Sequence, residues 1–268
     1  MKLAVCYNVF EDSLEHLKAS IEQIRAFPNI VAVVYQKVSN HGNKQTWEYE
    51  KYLEHLKSIG LIDDILCYTP SNSLSVHRNE MEKRKIGRDI ALLTNCTHWL
   101  SMDSDEYYYP EEFKKAIRKM DKKGYDATAC CIQDYHSSPN YVVNDLQTYY
   151  VPFISKVKCQ YNFGASYFKY VDPTRGVTNY NEAYCFRPDE IIMHHMTTVR
   201  LDLKSKYLNS SARVNMGSLD NIQSMVDRIT TYDPYDLRKD DPICGVVDDY
   251  FKVKDSFDYY VDFKRNNS

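Results

Sequence analysis

The chain has 268 residues, with 34 Lys and Arg against 37 Asp and Glu, a formal charge of -3 and a pI near 6.2. Hydrophobic residues make up 43% and charged residues 26%, with 8 Gly and 9 Pro, which excludes collagen-like, low-complexity and disordered classes and leaves a chain able to bury a core. No apolar run approaches the roughly 18 residues of a membrane span, segment 3–7 is too short for a signal peptide, and the charge excludes a global positive field for nucleic acid, so the chain reads as soluble and cytoplasmic.

In chain order, residues 3–7 form a short apolar strand. Residues 13–27 place Leu14, Leu17, Ile21 and Ile24 at helical spacing, with Asp12 or Ser13 as cap. The β-branched run 30–35 suits a strand buried on both faces. Residues 46–59 predict a helix that stops at Gly60, 64–68 a third strand, 79–93 a helix carrying Lys83, Arg84, Lys85 and Arg88, and 98–102 a fourth strand. A helix then runs from Pro110 to about residue 122, a strand over 126–133, and the pattern loosens into aromatic, turn-rich segments. A strand at 191–193 leads into His194 and His195, and the tail from 202 reads as mainly helical, clearest at 219–229, ending in the aromatic segment 257–263. Alternating strands and helices predict an α/β fold, a mostly parallel sheet with helices on both faces, whose ligands collect at the carboxyl ends of the strands. The eight Cys include no C-x-x-C pair, and Cys6, Cys67, Cys96, Cys130 and Cys131 lie in apolar runs, which predicts reduced, packed thiols. The 24 Tyr suit sugar or base stacking as well as ordinary half-buried surface.

The sharpest local signal is the strand 98–102 running into Asp103-Ser104-Asp105-Glu106. Two carboxylates at the ligand edge of a sheet suit a divalent cation bridging to phosphate oxygens, although acidic clusters after strands also serve as solvated loops or caps. Arg84 and Arg88 share a helix face and can point together into a cleft or into solvent. Arg200, following Thr197 and Thr198 as a helix cap, suits a bidentate phosphate contact or a surface position.

Four pieces in order carry a resemblance over roughly residues 1–210: Tyr7-Asn8; the basic helix Glu82-Lys83-Arg84-Lys85-Ile86-Gly87-Arg88; Asp103-Ser104-Asp105-Glu106; and Met193-His194-His195-Met196-Thr197-Thr198-Val199-Arg200. Together they resemble the nucleotide-sugar glycosyltransferases of the GT-A fold, family-2 group. The resemblance implies a Rossmann-like fold in one domain, with a nucleotide-sugar half at 1–110, an acceptor half at 111–200 and a helical extension at 201–268. It implies Mn²⁺ or Mg²⁺ held by the Asp103/Asp105 motif, with Asp105 the ligand, Asp103 on the ribose or a metal-bound water, and one of His194 or His195 completing the set. Because adjacent strand residues face opposite ways, only one His should bind, and His195 is favoured. Tyr7, Asn8, Gln36, Arg84, Arg88, Asp103 and Arg200 are the implied donor contacts, with a UDP-sugar as donor. The family's acidic base-reading residue is replaced here by Gln36, whose amide can still pair with a base edge. An inverting displacement needs a carboxylate base, for which Asp172 and Asp134 stand first, with Glu182, Asp189 and Glu190 behind them.

The expected acceptor is a glycan or lipopolysaccharide precursor, or a hydroxylated base of viral DNA. For DNA, two basic-aromatic groupings stand out: Lys204, Lys206 and Arg213 near Tyr207, and Lys156, Lys158 and Lys169 among Tyr161, Phe163 and Tyr167. A non-catalytic sugar- or nucleotide-binding domain of the same fold is the main rival. A nucleotidyltransferase should show a Gly-rich loop after the first strand, where this chain has no glycine.

Overall fold

The computed structural model describes residues 1–162, 171–210, 213 and 215–267. Phe163, Tyr167 and Lys169 lie outside the described residues. The first half is built as the alternation predicts, with strands β1 (Leu3–Val9), β2 (Ile30–Tyr35), β3 (Asp64–Cys67) and β4 (His98–Asp103) parallel in the order β3-β2-β1-β4. Between them run α1 (Leu14–Ile24), α2 (Glu50–Ser58) and α3 (Val76–Leu93).

The pleat of β1 sorts its side chains into two layers. Leu3, Val5, Tyr7 and Val9 pack with Leu14, Leu17 and Ile21 of α1 and Tyr52, Leu53 and Leu56 of α2. Ala4 and Cys6 face the other way, toward Met81, Ile90 and Ala91 of α3. At Gly87 the approach of α3 is so close that an added Cβ would lie 2.6 Å from Cys6 Cβ, which glycine alone avoids.

Beyond β4 the sheet is mixed. After β5 (Glu106–Tyr107) and α4 (Pro110–Lys123) come β6 (Ala127–Asp134), β7 (Tyr141–Val143) and β8 (Tyr150–Lys156), and β8 inserts antiparallel between β4 and β6. Two short strands, β9 (Gln160–Tyr161) and β10 (Val177–Thr178), pair with each other; β11 (Ala183–Cys185) joins β6, and β12 (Ile192–His195) lies between β6 and β5. The tail carries α5 (Leu203–Asn209), α6 (Leu219–Thr230), β13 (Cys244–Val246), paired with β7, and α7 (Val253–Asn267). No helix among the described residues is long and apolar enough to cross a membrane.

Several expectations are corrected. The helix expected over 46–59 starts only at Glu50, because Thr46 is tied to the Glu11 carboxylate. Ser13 makes no cap bond to α1; its hydroxyl donates to Phe10 O instead. The helix near Arg200 is capped by Asp202, which accepts from Ser205 N, while Thr198 bonds to Tyr135 O. Cys67, at the end of edge strand β3, is exposed, whereas Cys6, Cys96, Cys130 and Cys131 are buried; none of the eight is in a disulfide.

Candidate functional site

The parallel register places Asn8 opposite Asp103, so the ends of β1 and β4 deliver the acidic motif to the carboxyl edge of the sheet. Over this edge lies a cavity of about 190 Å³ whose lining includes Asn8, Gln36, Lys83, Arg84, Asp103, Asp105 and Lys206. A second cavity of about 380 Å³ lies beside it and shares Phe10 and Asn209 with it. The loop after β2 reaches α5 above it: His41 Nε2 pairs with Ser210 O at 2.8 Å, and Asn43 Nδ2 donates to Asn209 Oδ1 at 2.9 Å.

The two aspartates have different surroundings. Asp103 Oδ2 accepts from Arg84 Nη2 at 2.8 Å and Arg175 Nη2 at 2.7 Å. Burial would raise its carboxyl, but these two guanidinium groups hold it well below the usual range. Arg84 also binds Glu80 at 2.9 Å, and Arg175 also binds Glu106 and, at 3.2 Å, Asp172. Asp105 Oδ2 is shared by Arg200 Nη2 and, at 3.4 Å, Lys206 Nζ; these cations outweigh burial and hold its carboxyl low. Lys83 donates to Val9 O at 3.0 Å and Gln36 Oε1 at 2.7 Å, and burial brings its amine down to about 8, even with Asp103 opposing the shift.

Of the residues singled out from the sequence, Asn8, Gln36, Arg84, Asp103 and Asp105 come together in the cavity, and Arg200 joins them by way of Asp105. Gln36 is already engaged at both ends of its amide, by Lys83 and, at 2.8 Å, by Asn40 Oδ1. Asn8 donates to Ser101 Oγ at 2.8 Å, and its Oδ1 has no partner among the described residues. Tyr7 is buried in the core below, its hydroxyl accepting from Ser20. Arg88 is not brought to the cavity: its Nε donates to Val157 O at 2.7 Å and Cys159 O at 2.9 Å, anchoring a turn. His194 points away from the motif, with Nδ1 3.2 Å from Tyr135 Oη and its ring against Tyr109 and Phe251; burial lowers it to about 4.

Asp172 and Asp134, the first-ranked bases, each stand one side chain away from a motif carboxylate. Asp172 pairs with Arg175, which binds Asp103; Asp134 accepts from His195 Nδ1 at 3.1 Å, and His195 Nε2 lies 4.0 Å from Asp105 Oδ2. Asp189 pairs instead with Arg187 at 3.0 Å, Glu190 with Lys119 and Tyr184, and Glu182 is exposed at the start of β11, away from the motif. Sequence reasoning gave no role to Arg175, to Glu106 or to Gln147, whose amide donates to Asp134 Oδ2, and Lys206 figured only as part of a basic patch. Glu106 was visible as the fourth residue of the acidic run, whereas nothing local marks Arg175, which meets the motif only through the fold.

Among the described residues no group of three or more His, Cys, Asp and Glu is arranged to hold a metal ion. His195 and Asp105 come nearest to a ligand pair, but the 4.0 Å between His195 Nε2 and Asp105 Oδ2 exceeds the roughly 3.0–3.4 Å that separates neighbouring ligands with bonds of about 2.1 Å, so the two side chains would have to close by about 0.6–1 Å to share an ion. Asp103, clamped by two arginines, and His194, turned away, do not join that pair.

No family model matches the chain, and no curated protein matches it. Among solved structures it is similar to S. aureus TarS. The TarS 1–349 structure in complex with UDP is 19% identical over 50% of this chain and 36% of that one, with a TM-score of 0.34. A TarS structure at 13% identity covers 84% of this chain and 43% of that one, with a TM-score of 0.45. The TarS 1–349 complex with UDP-GlcNAc is 12% identical over 84% and 70% of the two chains, with a TM-score of 0.45. The chain thus spans less than half the length of the first two.

Proposed function

We propose that the chain is a glycosyltransferase that takes a sugar from a nucleotide-sugar donor, a UDP-sugar, and passes it to an acceptor hydroxyl by single displacement. The observation that carries this reading is the meeting of Asp103 and Asp105 with Lys83, Arg84 and Lys206 around one cavity at the carboxyl edge of the sheet, with Arg200 behind Asp105. A carboxylate for a cation, here Asp105, and a cluster of cations for a diphosphate are the two complements such a donor needs.

In this reading Asp172 takes the proton of the acceptor hydroxyl. The hydroxyl oxygen forms its bond to the sugar C1 as the C1–phosphate oxygen bond breaks, and the electron pair leaves with the nucleoside diphosphate, inverting C1. Lys83, Arg200 and Lys206 stabilise the charge gathering on that leaving group. Asp105 and His195 are the residues that would hold Mn²⁺ or Mg²⁺, which when bound supplies Lewis-acid neutralisation of the diphosphate. Arg200 and Lys206 already share Asp105, so a divalent cation competes with them unless a diphosphate draws them off; metal and diphosphate should therefore bind together. A glycan hydroxyl suits the surface better than DNA does, because Lys156 and Lys158 are spent on Asp126, Lys206 on Asp105, and Arg213 on Gly217 O.

Calorimetry with UDP in Mn²⁺ and in EDTA, together with a nucleotide-sugar hydrolysis screen, tests the reading. We expect UDP to bind at least ten-fold more tightly with Mn²⁺, and Asp105→Asn to abolish hydrolysis and transfer while the protein stays folded. Equal affinity in both buffers with full activity of Asp105→Asn would refute it. Tight donor binding without any turnover would favour a binding domain instead.

A further inference from the structure

We infer that Glu80 is the residue that selects the nucleobase: its uncommitted carboxylate oxygen accepts the single N–H on the edge of uracil, a task that Gln36 at the end of β2 is not free to perform. The assignment rests on the nucleotide-sugar reading above and on no metal ion.

The amide of Gln36 is spent. The residue is 2% exposed, its Oε1 accepts from Lys83 Nζ at 2.7 Å, and its Nε2 donates to Asn40 Oδ1 at 2.8 Å and to Val38 O at 3.3 Å. With both amide protons taken and the oxygen held by an ammonium, Gln36 braces the loop after β2. Glu80 is in the opposite condition. It lines the cavity from α3, at the spacing of three and four residues that puts it on the same face as Lys83 and Arg84. Its Oε1 accepts from Arg84 Nη2 at 2.9 Å, while its Oε2 is buried with no partner among the described residues. A buried acceptor without a donor is costly, more so on a charged group, and a ligand that brings the donor relieves it.

One free oxygen narrows the choice of base, which proteins read by its Watson–Crick edge. Uracil carries one N–H there, at N3, between two carbonyl oxygens. Guanine presents adjacent donors at N1 and N2 that ask for both oxygens of a carboxylate, and Arg84 holds one of them. Cytosine has a lone pair at N3 and would have to slide along its edge to bring its amino group to Oε2. Lys83 adds the complement: Val9 O and Gln36 Oε1 take two of its three protons, which leaves one for a uracil carbonyl. Removing the Glu80 carboxylate does not strand Arg84, which keeps Asp103 at 2.8 Å and Ser101 Oγ at 3.3 Å, so variants at this position report on recognition more than on folding.

Calorimetry with UDP, 3-methyl-UDP, 2′-deoxy-UDP and CDP in a single buffer tests the assignment. Wild type should bind 3-methyl-UDP about 10–100-fold more weakly than UDP, the scale of a hydrogen bond to a charged group. In Glu80→Ala the two should come within about three-fold of each other, since the partner of N3–H is gone. Glu80→Gln should keep its oxygen on Arg84, because an NH₂ cannot accept from a guanidinium, and so present a donor to the base; it should bind CDP at least as tightly as UDP. Equal binding of UDP and 3-methyl-UDP by wild type, or the same methyl penalty in Glu80→Ala as in wild type, would overturn the assignment. So would a Glu80→Ala variant that evens out UDP and 2′-deoxy-UDP but not UDP and 3-methyl-UDP, which would put Glu80 on the ribose. In these cases the donor reading stands. If wild type binds no nucleotide at all, the donor reading falls and the assignment falls with it.

Discussion

Arg175 gathers three carboxylates, and replacing it by Met should be among the costliest single changes in the molecule. Its side chain is 3% exposed and meets Asp103, Glu106 and Asp172. Asp103 keeps Arg84 and Asp172 is partly exposed, so the uncompensated charge falls on Glu106, which is 2% exposed and otherwise has an unpartnered Oε2 among the described residues. Breaking a buried ion pair from one side costs about 3–5 kcal/mol. For a chain of this size that is a fall in Tm of roughly 6–20 °C, at about 2–4 °C per kcal/mol. Burial already raises the Glu106 carboxyl, with Arg175 opposing it, so removing Arg175 raises it further. The variant escapes part of the cost by protonating Glu106, and the loss should be larger at pH 8 than at pH 5. Melting curves of wild type, Arg175→Met and Arg175→Met/Glu106→Gln at both pH values check this. The double variant should recover at least half of the loss at pH 8. A single variant within 1 kcal/mol of wild type, or a double variant no better than the single, would show that Glu106 does not depend on Arg175.

Burial, partly offset by Arg200, pushes Glu15 from its ordinary 4.5 up to about 7. The folded state then keeps a proton that the unfolded chain releases, so its contribution is fully present below about pH 4.5 and is lost as pH rises to 7. At 1.36 kcal/mol per pH unit this is about 3 kcal/mol, so Glu15→Gln should match wild type near pH 4.5 and exceed it by up to that amount above pH 7 in urea melts; parallel curves would contradict the shift. Gly87→Ala drives a methyl to 2.6 Å from Cys6 Cβ and should cost about 1–3 kcal/mol by forcing α3 off the sheet; a loss below 0.5 kcal/mol by urea denaturation would mean the helix yields freely.

The parallel half was legible because each strand there is one apolar run and each helix one periodic stripe. The second half was not, and β8 shows why. Pro152 in its middle argues against an inner strand, since proline cannot donate to the ladder, yet β8 pairs on both sides. The β4 partners in β8 are only Ser155 and Lys156, so the missing N–H at Pro152 breaks no rung to β4, and on the β6 side a register shift between Ala127 and Ala129 lies beside it. Arg88 shows the opposite error. Shared helical spacing put it on the face of Arg84, but one helical turn, about 6 Å, carries it away from the carboxyl edge to the turn at Val157 and Cys159. Within the site, the Asp-x-Asp and the late His were local signals. Their partners were not, because Arg175 lies about seventy residues from Asp103 and only the fold joins them.

The two aspartates of the motif differ in how readily they exchange a partner. The partners of Asp103 are two arginines 1% and 3% exposed, and with Asp103 neutralised Arg84 keeps Glu80 at 2.9 Å while Arg175 keeps Glu106 and Asp172. Asp105 is bound by Arg200, which keeps Glu15 at 3.9 Å and the Asp12 carbonyl at 3.0 Å, and by Lys206, whose side chain reaches solvent. Neutralising Asp105 therefore leaves its cations with other partners or with water. What separates the two is Lys206: its side chain is 21% exposed, against 1%, 3% and 0% for Arg84, Arg175 and Arg200, so Asp105 is the carboxylate that can give up a cation to a diphosphate in the cavity.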